Sequence, residues 1–391
     1  MRNYIYAAMI GLLLFSAACG QKSERGFSVE TKDGIEYAHN SKTPLHQDAT
    51  VVFEEDLSIE PVDEKGNIRI YSPTRFAVDE SGNIFICDYR DSSVKVFDSH
   101  GQFVRTIGRK GSGPGEFETV GRVYCLPDGK LMMLDLGLRR GSLFSNEGRF
   151  ISSHKFLRPG YNVFFSTESF YVREETVVEM DKTPKGWKTT LFIKAYDYKG
   201  EEIFSYGEFK ESQSAFIDEE GRRFTYTRPY DVESVLAGDQ KNKWLYHCLS
   251  DQYIIEVFDH EGRLFRKIDR PYNRIPVTEQ DKKRYLEGFH ASSERDVALI
   301  EKNTEMPKLK PVCERMLVDD EGRVWVESNE KKEENGQTLT AYDIFDENGR
   351  YLYKIWSEIS PGLFRNGRMY SMERDEEMGD RILKRYRMIW K

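Results

Sequence analysis

Metal ligands, nucleophile motifs and membrane-length apolar runs are scarce in this sequence, and each scarcity removes a class of function. Seven histidines are spread over 391 residues, whereas a metal-dependent active site needs several His or carboxylate side chains converging on one point. No G-x-S-x-G elbow is present, and no order of Ser, His and Asp suggests a triad. The glycine-rich stretch Gly111-Ser112-Gly113-Pro114-Gly115 runs into Glu116-Phe117 and then a strand-like segment. A phosphate-cradling loop needs a helix N-terminus and usually Lys-Ser/Thr there, so this stretch reads as a crossing between structural units. Basic residues are not in excess either. The net charge is −8, which argues against a general nucleic-acid binder with its basic face.

Aromatic residues are plentiful, at 13% of the chain, and they suit the pleated, half-buried surface of a sheet. The first nineteen residues differ in kind. Met1-Arg2-Asn3-Tyr4 carries one positive side chain, Ile5 to Phe15 is apolar, and Ser16-Ala17-Ala18-Cys19 follows. The apolar run is shorter than the roughly 20 residues that span a bilayer and has the anatomy of a signal peptide. Its end resembles the lipobox of bacterial lipoproteins, with Ser16 where Leu is usual. That resemblance implies acylation of Cys19 and anchoring in the cell envelope; the outer membrane, facing either the periplasm or the surface, is one assignment, and the sequence does not decide between outer and inner membrane. The expected division is a signal peptide over 1–18, an anchor and tether over 19–48, and one folded body over 49–391. Within the tether, Phe27 to Glu30 and Ile35 to Tyr37 around Lys32-Asp33-Gly34 suggest a small hairpin. Cys87, Cys125, Cys248 and Cys313 could form two disulfides in an oxidising compartment. Three of them sit in apolar strand-like runs, so they are read as buried free thiols.

One signature recurs five times: an aromatic, usually Asp, two polar residues, then Gly. The copies begin at Phe97, Phe144, Tyr196, Phe258 and Phe345 and end at Gly101, Gly148, Gly200, Gly262 and Gly349. Alternating runs flank each copy, which marks a hairpin. A second hairpin precedes most copies, with turns at Gly82, Gly129 and Gly322. Two consecutive hairpins make a four-stranded antiparallel blade. The C-terminal segment supplies only three strands after Pro361, and a spare strand within residues 50–59 could complete that blade. The fold expected is an all-β, six-bladed propeller closed by an N-terminal strand.

Gly82 to Asp98, with the crossing Ile107 to Phe117, resembles an NHL-type repeat, and the chain is similar to six-bladed propeller lipoproteins of Bacteroidales. The resemblance implies the fold and leaves the reaction open, since NHL-like propellers include binding modules and zinc or calcium enzymes. The histidines fit the enzyme reading poorly. His39 and His46 precede the ring, His100 and His260 fall in outer hairpin turns, and His154, His247 and His290 share no repeat position. No metal or catalytic residue is therefore assigned.

Counting along the repeat finds other chemistry. Seven residues before Gly82, Gly129 and Gly322 stand Arg75, Arg122 and Arg315, and six residues after them stand Asp88, Asp135 and Ser328. Both positions fall at the end of the inner hairpin away from its turn, on the mouth where propeller ligands usually sit. Arg75–Asp88 and Arg122–Asp135 read as cross-strand ion pairs, worth roughly 0.2–1 kcal/mol each. Arg315 has no acid at the matching position and is the expected contact for an outside anion. Arg75, Asp88, Arg122, Asp135 and Arg315 are thus the candidate ligand-binding residues, with Tyr89 and Tyr230 as possible sugar-stacking surfaces. The expected function is a monomeric, membrane-anchored module that binds a small-molecule, glycan or protein ligand. A metal-dependent hydrolase or lyase at the same mouth is the alternative.

Overall fold

The recurring aromatic-Asp-x-x-Gly segment folds as the turn of each outer hairpin, and its chemistry explains its sequence. Asp98 accepts hydrogen bonds from the backbone N–H groups of His100 and Gln102, both at 2.9 Å. Asp197, Asp259 and Asp346 do the same in their turns, as Asp in such turns characteristically does. The closing glycine takes a left-handed conformation, φ 77° at Gly101 and 90° at Gly200, which a side chain would disfavour.

The computed structural model describes residues 22–24, 26–62, 69–160, 162–180, 186–210, 214–219, 222–288, 294–375 and 379–391. The expected signal peptide and Cys19 lie outside the described residues. Six four-stranded antiparallel blades form a ring. Blade one is Pro73–Val78, Ile84–Asp88, Ser93–Phe97 and Phe103–Ile107. Blade two runs from Val120–Cys125 through Leu131–Asp135 and Arg140–Phe144 to Phe150–Lys155. Blade three is Val163–Ser166, Phe170–Met180, Gly186–Asp197 and Glu202–Lys210, and blade four is Ser234–Asp239, Trp244–Leu249, Ile254–Phe258 and Leu264–Asp269. Blade five is Arg315–Val318, Val324–Glu334, Gln337–Phe345 and Tyr351–Ser357. Blade six takes Leu363–Arg365, Arg368–Arg374 and Arg381–Trp390 from the C-terminal segment and its outer strand, Val51–Ile59, from the N-terminal one.

The core follows from this plan. Every residue of Ile84–Asp88, Ser93–Phe97 and Leu131–Asp135 is buried, because middle strands are covered on both faces by neighbouring blades. The buried apolar side chains fall into six clusters, one at each junction between adjacent blades. The four cysteines of the ring are free, as expected for small hydrophobes in such a core.

Charge selects the closing strand. Glu54, Glu55 and Asp56 lie in Val51–Ile59, and opposite them stand Arg387 (2.8 Å), Lys384 (3.0 Å) and Arg385 (2.6 Å). Opposite charges across a strand pair favour one register over its neighbours. The segment before it also belongs to the ring. Phe27–Lys32 and Ile35–Asn40 form the expected hairpin, which adds in parallel to the outer strand of blade four. Asn40 then bridges blades, donating to the carbonyls of Asp269 and Gly349 and accepting from the N–H of Tyr351.

Between blades four and five a long connector forms two helices, α1 (Glu279–Glu287) and α2 (Glu294–Asn303). Thr278 and Asp281 make a reciprocal capping box at the start of α1. Asp281 also anchors Lys310 at 2.6 Å.

Candidate functional site

The first strand of every blade lines a central channel, and the channel has two chambers. One, of about 640 Å³, is lined by Asn162, Glu174, Glu233 and Arg315 among others, at the rim where the first strands begin. The other, of about 770 Å³, opens among the turns where they end, beside Glu80, Gln240, Lys243 and Arg365. Val163, Phe164, Gly238, Val318, Leu363 and Phe364 belong to both, so polar ends are joined through an apolar waist. A Cβ on Gly238 would come within 1.9 Å of the Phe164 carbonyl oxygen. Glycine is what lets these two inner strands approach so closely.

All large insertions rise from the rim of the first chamber. The second and third strands of blade three run on to Met180 and Gly186, and the hairpin Ser214–Glu219 with Arg222–Thr227 extends that sheet. Helix α2 lies against the strand Ser214–Glu219. The middle strands of blade five likewise extend to a turn at Asn335-Gly336. A crest therefore stands over blades three to five. The hairpin loops of blades one and two at this rim are short, at residues 89–92 and 136–139, so among the described residues this is the low side.

On that low side the structure corrects the expected pairings. Asp88 is fully buried and accepts hydrogen bonds from the backbone N–H groups of Tyr71 (2.8 Å), Ser72 (3.0 Å) and Asp91 (3.3 Å). Asp135 does the same for Glu118, Thr119 and Leu138. Neither pairs with the arginine assigned to it. These aspartates hold the crossing loops in place, and they do not face the mouth. Arg315, expected to lack a partner, is held by Glu327 at 2.8 Å and also donates to the Ser360 hydroxyl at 2.7 Å. The arginines without an ion-pair partner among the described residues are the other two.

A one-residue offset explains the exchange. Five residues after the turn glycines, rather than six, stand Cys87, Leu134 and Glu327. Arg122 is in register with Leu134, and Arg315 with Glu327. Arg75 lies beside Cys87. Successive residues on a strand face opposite ways, so a count wrong by one picks the wrong face. Arg122 has no hydrogen-bond or ion-pair partner among the described residues, and Arg75 donates only to the carbonyl of Thr74.

The electrostatics agree with the geometry. The Arg75 guanidinium is held below the usual arginine range, first by loss of surrounding solvent and then by the positive charges of Arg122 and Arg381. Arg381, exposed at the start of the third strand of blade six, was missed because the count followed first strands only. Tyr71 and Tyr89 are exposed on the same rim, 50% and 53%, and the Arg90 guanidinium lies 5.5 Å from the Tyr71 ring centre. Tyr230 is tied into the crest instead, its hydroxyl directed at Asp281 and its ring 5.7 Å from the Lys310 ammonium. Cys87 sits beside the arginines, yet burial pushes its thiol up to about 12, so it offers no thiolate. Among the described residues no three His, Cys, Asp or Glu side chains converge to hold a metal. His290 lies outside them.

Residues 68–135 match a protein family described as a 6-bladed beta-propeller; that stretch contains the blade with the NHL-like resemblance. An exported protein of Bacteroides fragilis NCTC 9343 has a similar structure, at a TM-score of 0.51 and 12% identity over 90% of this chain and 99% of its own. A member of the duf4221 family from Bacteroides vulgatus is similar at 0.53 and 12%, over 87% and 98%. Virginiamycin B lyase of Staphylococcus aureus matches at 0.41 and 10%, too distant to bear on chemistry. No curated protein matches the chain. These likenesses establish the fold, a six-bladed β-propeller.

Proposed function

We propose that this propeller is a lipid-anchored envelope protein that binds an anionic ligand, a carboxylated, phosphorylated or sulfated sugar, at the low side of its mouth. One observation carries the reading. Among the described residues Arg75 and Arg122 have no carboxylate partner, and the charges of Arg122 and Arg381 act against that of Arg75 at a rim that bears two exposed tyrosines. Guanidinium groups bind carboxylate, phosphate and sulfate through paired charge-assisted hydrogen bonds. Tyrosine rings offer a flat apolar face with a polar edge, suited to a sugar ring. The crest over blades three to five would shelter a ligand from one side. Uptake of nutrients is the setting that such a ligand suggests.

A thermal-shift screen of uronates, sugar phosphates and sulfated sugars tests this. Ligands that stabilise the wild type should lose roughly 10- to 100-fold in affinity in Arg75→Met and in Arg122→Met, since one charge-assisted hydrogen bond contributes about 1.5–3 kcal/mol. If every stabilising ligand acts equally on all three proteins, the arginines are not the site.

Export of this chain rests on its own first nineteen residues, and anchoring rests on Cys19. Cells fed a fatty-acid analogue should label the wild type, while Cys19→Ala should be unlabelled and released from membranes. Membrane retention of the variant would contradict the anchor.

A further inference from the structure

The other end of the channel carries two cations, Arg365 and Lys243, that form no ion pair among the described residues, independent of the arginines at the first rim. Arg365 comes from the first strand of blade six and borders both the 770 Å³ chamber and the smaller hollow lined by Cys125, Leu126 and Gln240. Its Nε is buried without a partner. Other arginines with a buried, unbonded Nε give their terminal nitrogens to carbonyls or carboxylates, as Arg140 and Arg173 do. Arg365 makes no hydrogen bond or ion pair among the described residues.

Lys243 stands near it. Its ammonium donates to the Gln240 carbonyl, and no carboxylate lies within ion-pair distance of it among the described residues. It is held below the usual lysine range. Loss of solvent is the largest cause, and Arg365 adds to it against the opposing pull of Asp239 and Glu80.

The backbone at Lys243 is the second observation. Blades one, two and five place glycine at the left-handed position of the inner turn, Gly82, Gly129 and Gly322, with φ of 82°, 75° and 82°. Blade four places Lys243 there, at φ 60°. Any residue with a Cβ is disfavoured in that conformation, and such outliers concentrate where a side chain has a task. Three acids line the same chamber, and Asp319 is held by Arg323 at 2.7 Å. Asp320 is occupied by the N–H of Gly367 at 2.8 Å, and Glu80 is beyond ion-pair reach of both cations.

From this cavity, its unpartnered arginine and its strained lysine, we infer that Arg365 and Lys243 form a binding site for a small oxyanion of phosphate size at the turn end of the channel. An ammonium from blade four and a guanidinium from blade six would each donate to it, and the anion would supply the acceptor that the buried Arg365 Nε lacks.

Titration of inorganic phosphate, at ionic strength held constant with chloride, tests this on the wild type, Arg365→Met, Lys243→Gly and Arg75→Met. Phosphate should raise the melting temperature of the wild type and of Arg75→Met. Its affinity should fall at least about tenfold, one charge-assisted hydrogen bond, in Arg365→Met and Lys243→Gly. Without phosphate, Lys243→Gly should melt at or above the wild type, because glycine relieves the strained backbone. Should Arg365→Met fail to fold, Lys243→Gly still decides the matter. Absence of any phosphate effect on the wild type would overturn the site. So would equal effects on all four proteins, or a loss confined to Arg75→Met.

Discussion

Replacing Asp343 by alanine should destabilise the ring by about 3–5 kcal/mol, the usual cost of leaving one partner of a buried ion pair alone. Asp343 is fully buried in the third strand of blade five. It receives Arg270 from the far end of blade four, the Tyr253 hydroxyl at 2.6 Å and the Tyr351 hydroxyl. The guanidinium is also stacked among rings, 4.4 Å from the centre of Tyr253 and 4.8 Å from that of Tyr351. Alanine would leave a cation 3% exposed, with two phenol groups unbonded. In a chain of this length that corresponds to a fall in melting temperature of roughly 5 °C. Denaturant unfolding measures it directly. The double change Arg270→Met with Asp343→Leu should recover most of the loss, because the desolvation cost disappears with the charges. A change below about 1 kcal/mol for the single variant would mean that this junction is not held by the pair.

Removing the closing strand should have the other large effect. Val51–Ile59 makes eight register pairs with Arg381–Trp390 and buries Ile59 in the cluster between blades six and one. Without it the last blade presents an open strand edge, a template for association with other chains. Chains beginning at residues 27, 49 and 60 separate the contributions. The first should melt like the full chain. The second loses the hairpin against blade four, and it should melt lower but still cooperatively. The third should lose its cooperative transition and associate on heating, as light scattering would show. Matching transitions for the second and third chains would mean that the ring closes by other contacts.

The closing strand was legible because two signals met: a last blade one strand short, and an unclaimed strand near the N-terminus. The blades themselves were legible because each hairpin turn repeats an Asp that caps its own backbone and a left-handed Gly. The site was legible by height and not by partner. Counting from the turn glycines placed Arg75, Arg122 and Arg315 at corresponding points, since inner hairpins of equal length return to the same rim. Which residue faces each arginine depends on register. In blade two the pairing shifts between Leu134 and Asp135, and in blade one between Pro73 and Phe76. Those shifts turn the aspartates onto the crossing loops. In blades two and five alike the arginine faces the residue five after the turn glycine, and in blade five that residue is an acid, Glu327. The crest was less legible still, because its connectors follow no repeat and its helices depend on local capping such as that of Thr278.

The central claim, that Arg75 and Arg122 are held unpaired for a ligand, can be tested without knowing the ligand. Melting temperatures of the ligand-free wild type, Arg75→Met, Arg122→Met and Arg315→Met measure it, because methionine keeps an apolar stem while removing the charge. Removal of mutual repulsion should leave the first two variants at or above the wild type. Arg315→Met should melt lower by about 2 °C, having lost its bonds to Glu327 and Ser360, which contribute about 1–2 kcal/mol. The contrary order, with Arg75→Met and Arg122→Met destabilised and Arg315→Met unaffected, would show that the two arginines hold the ring together and are not reserved for a ligand.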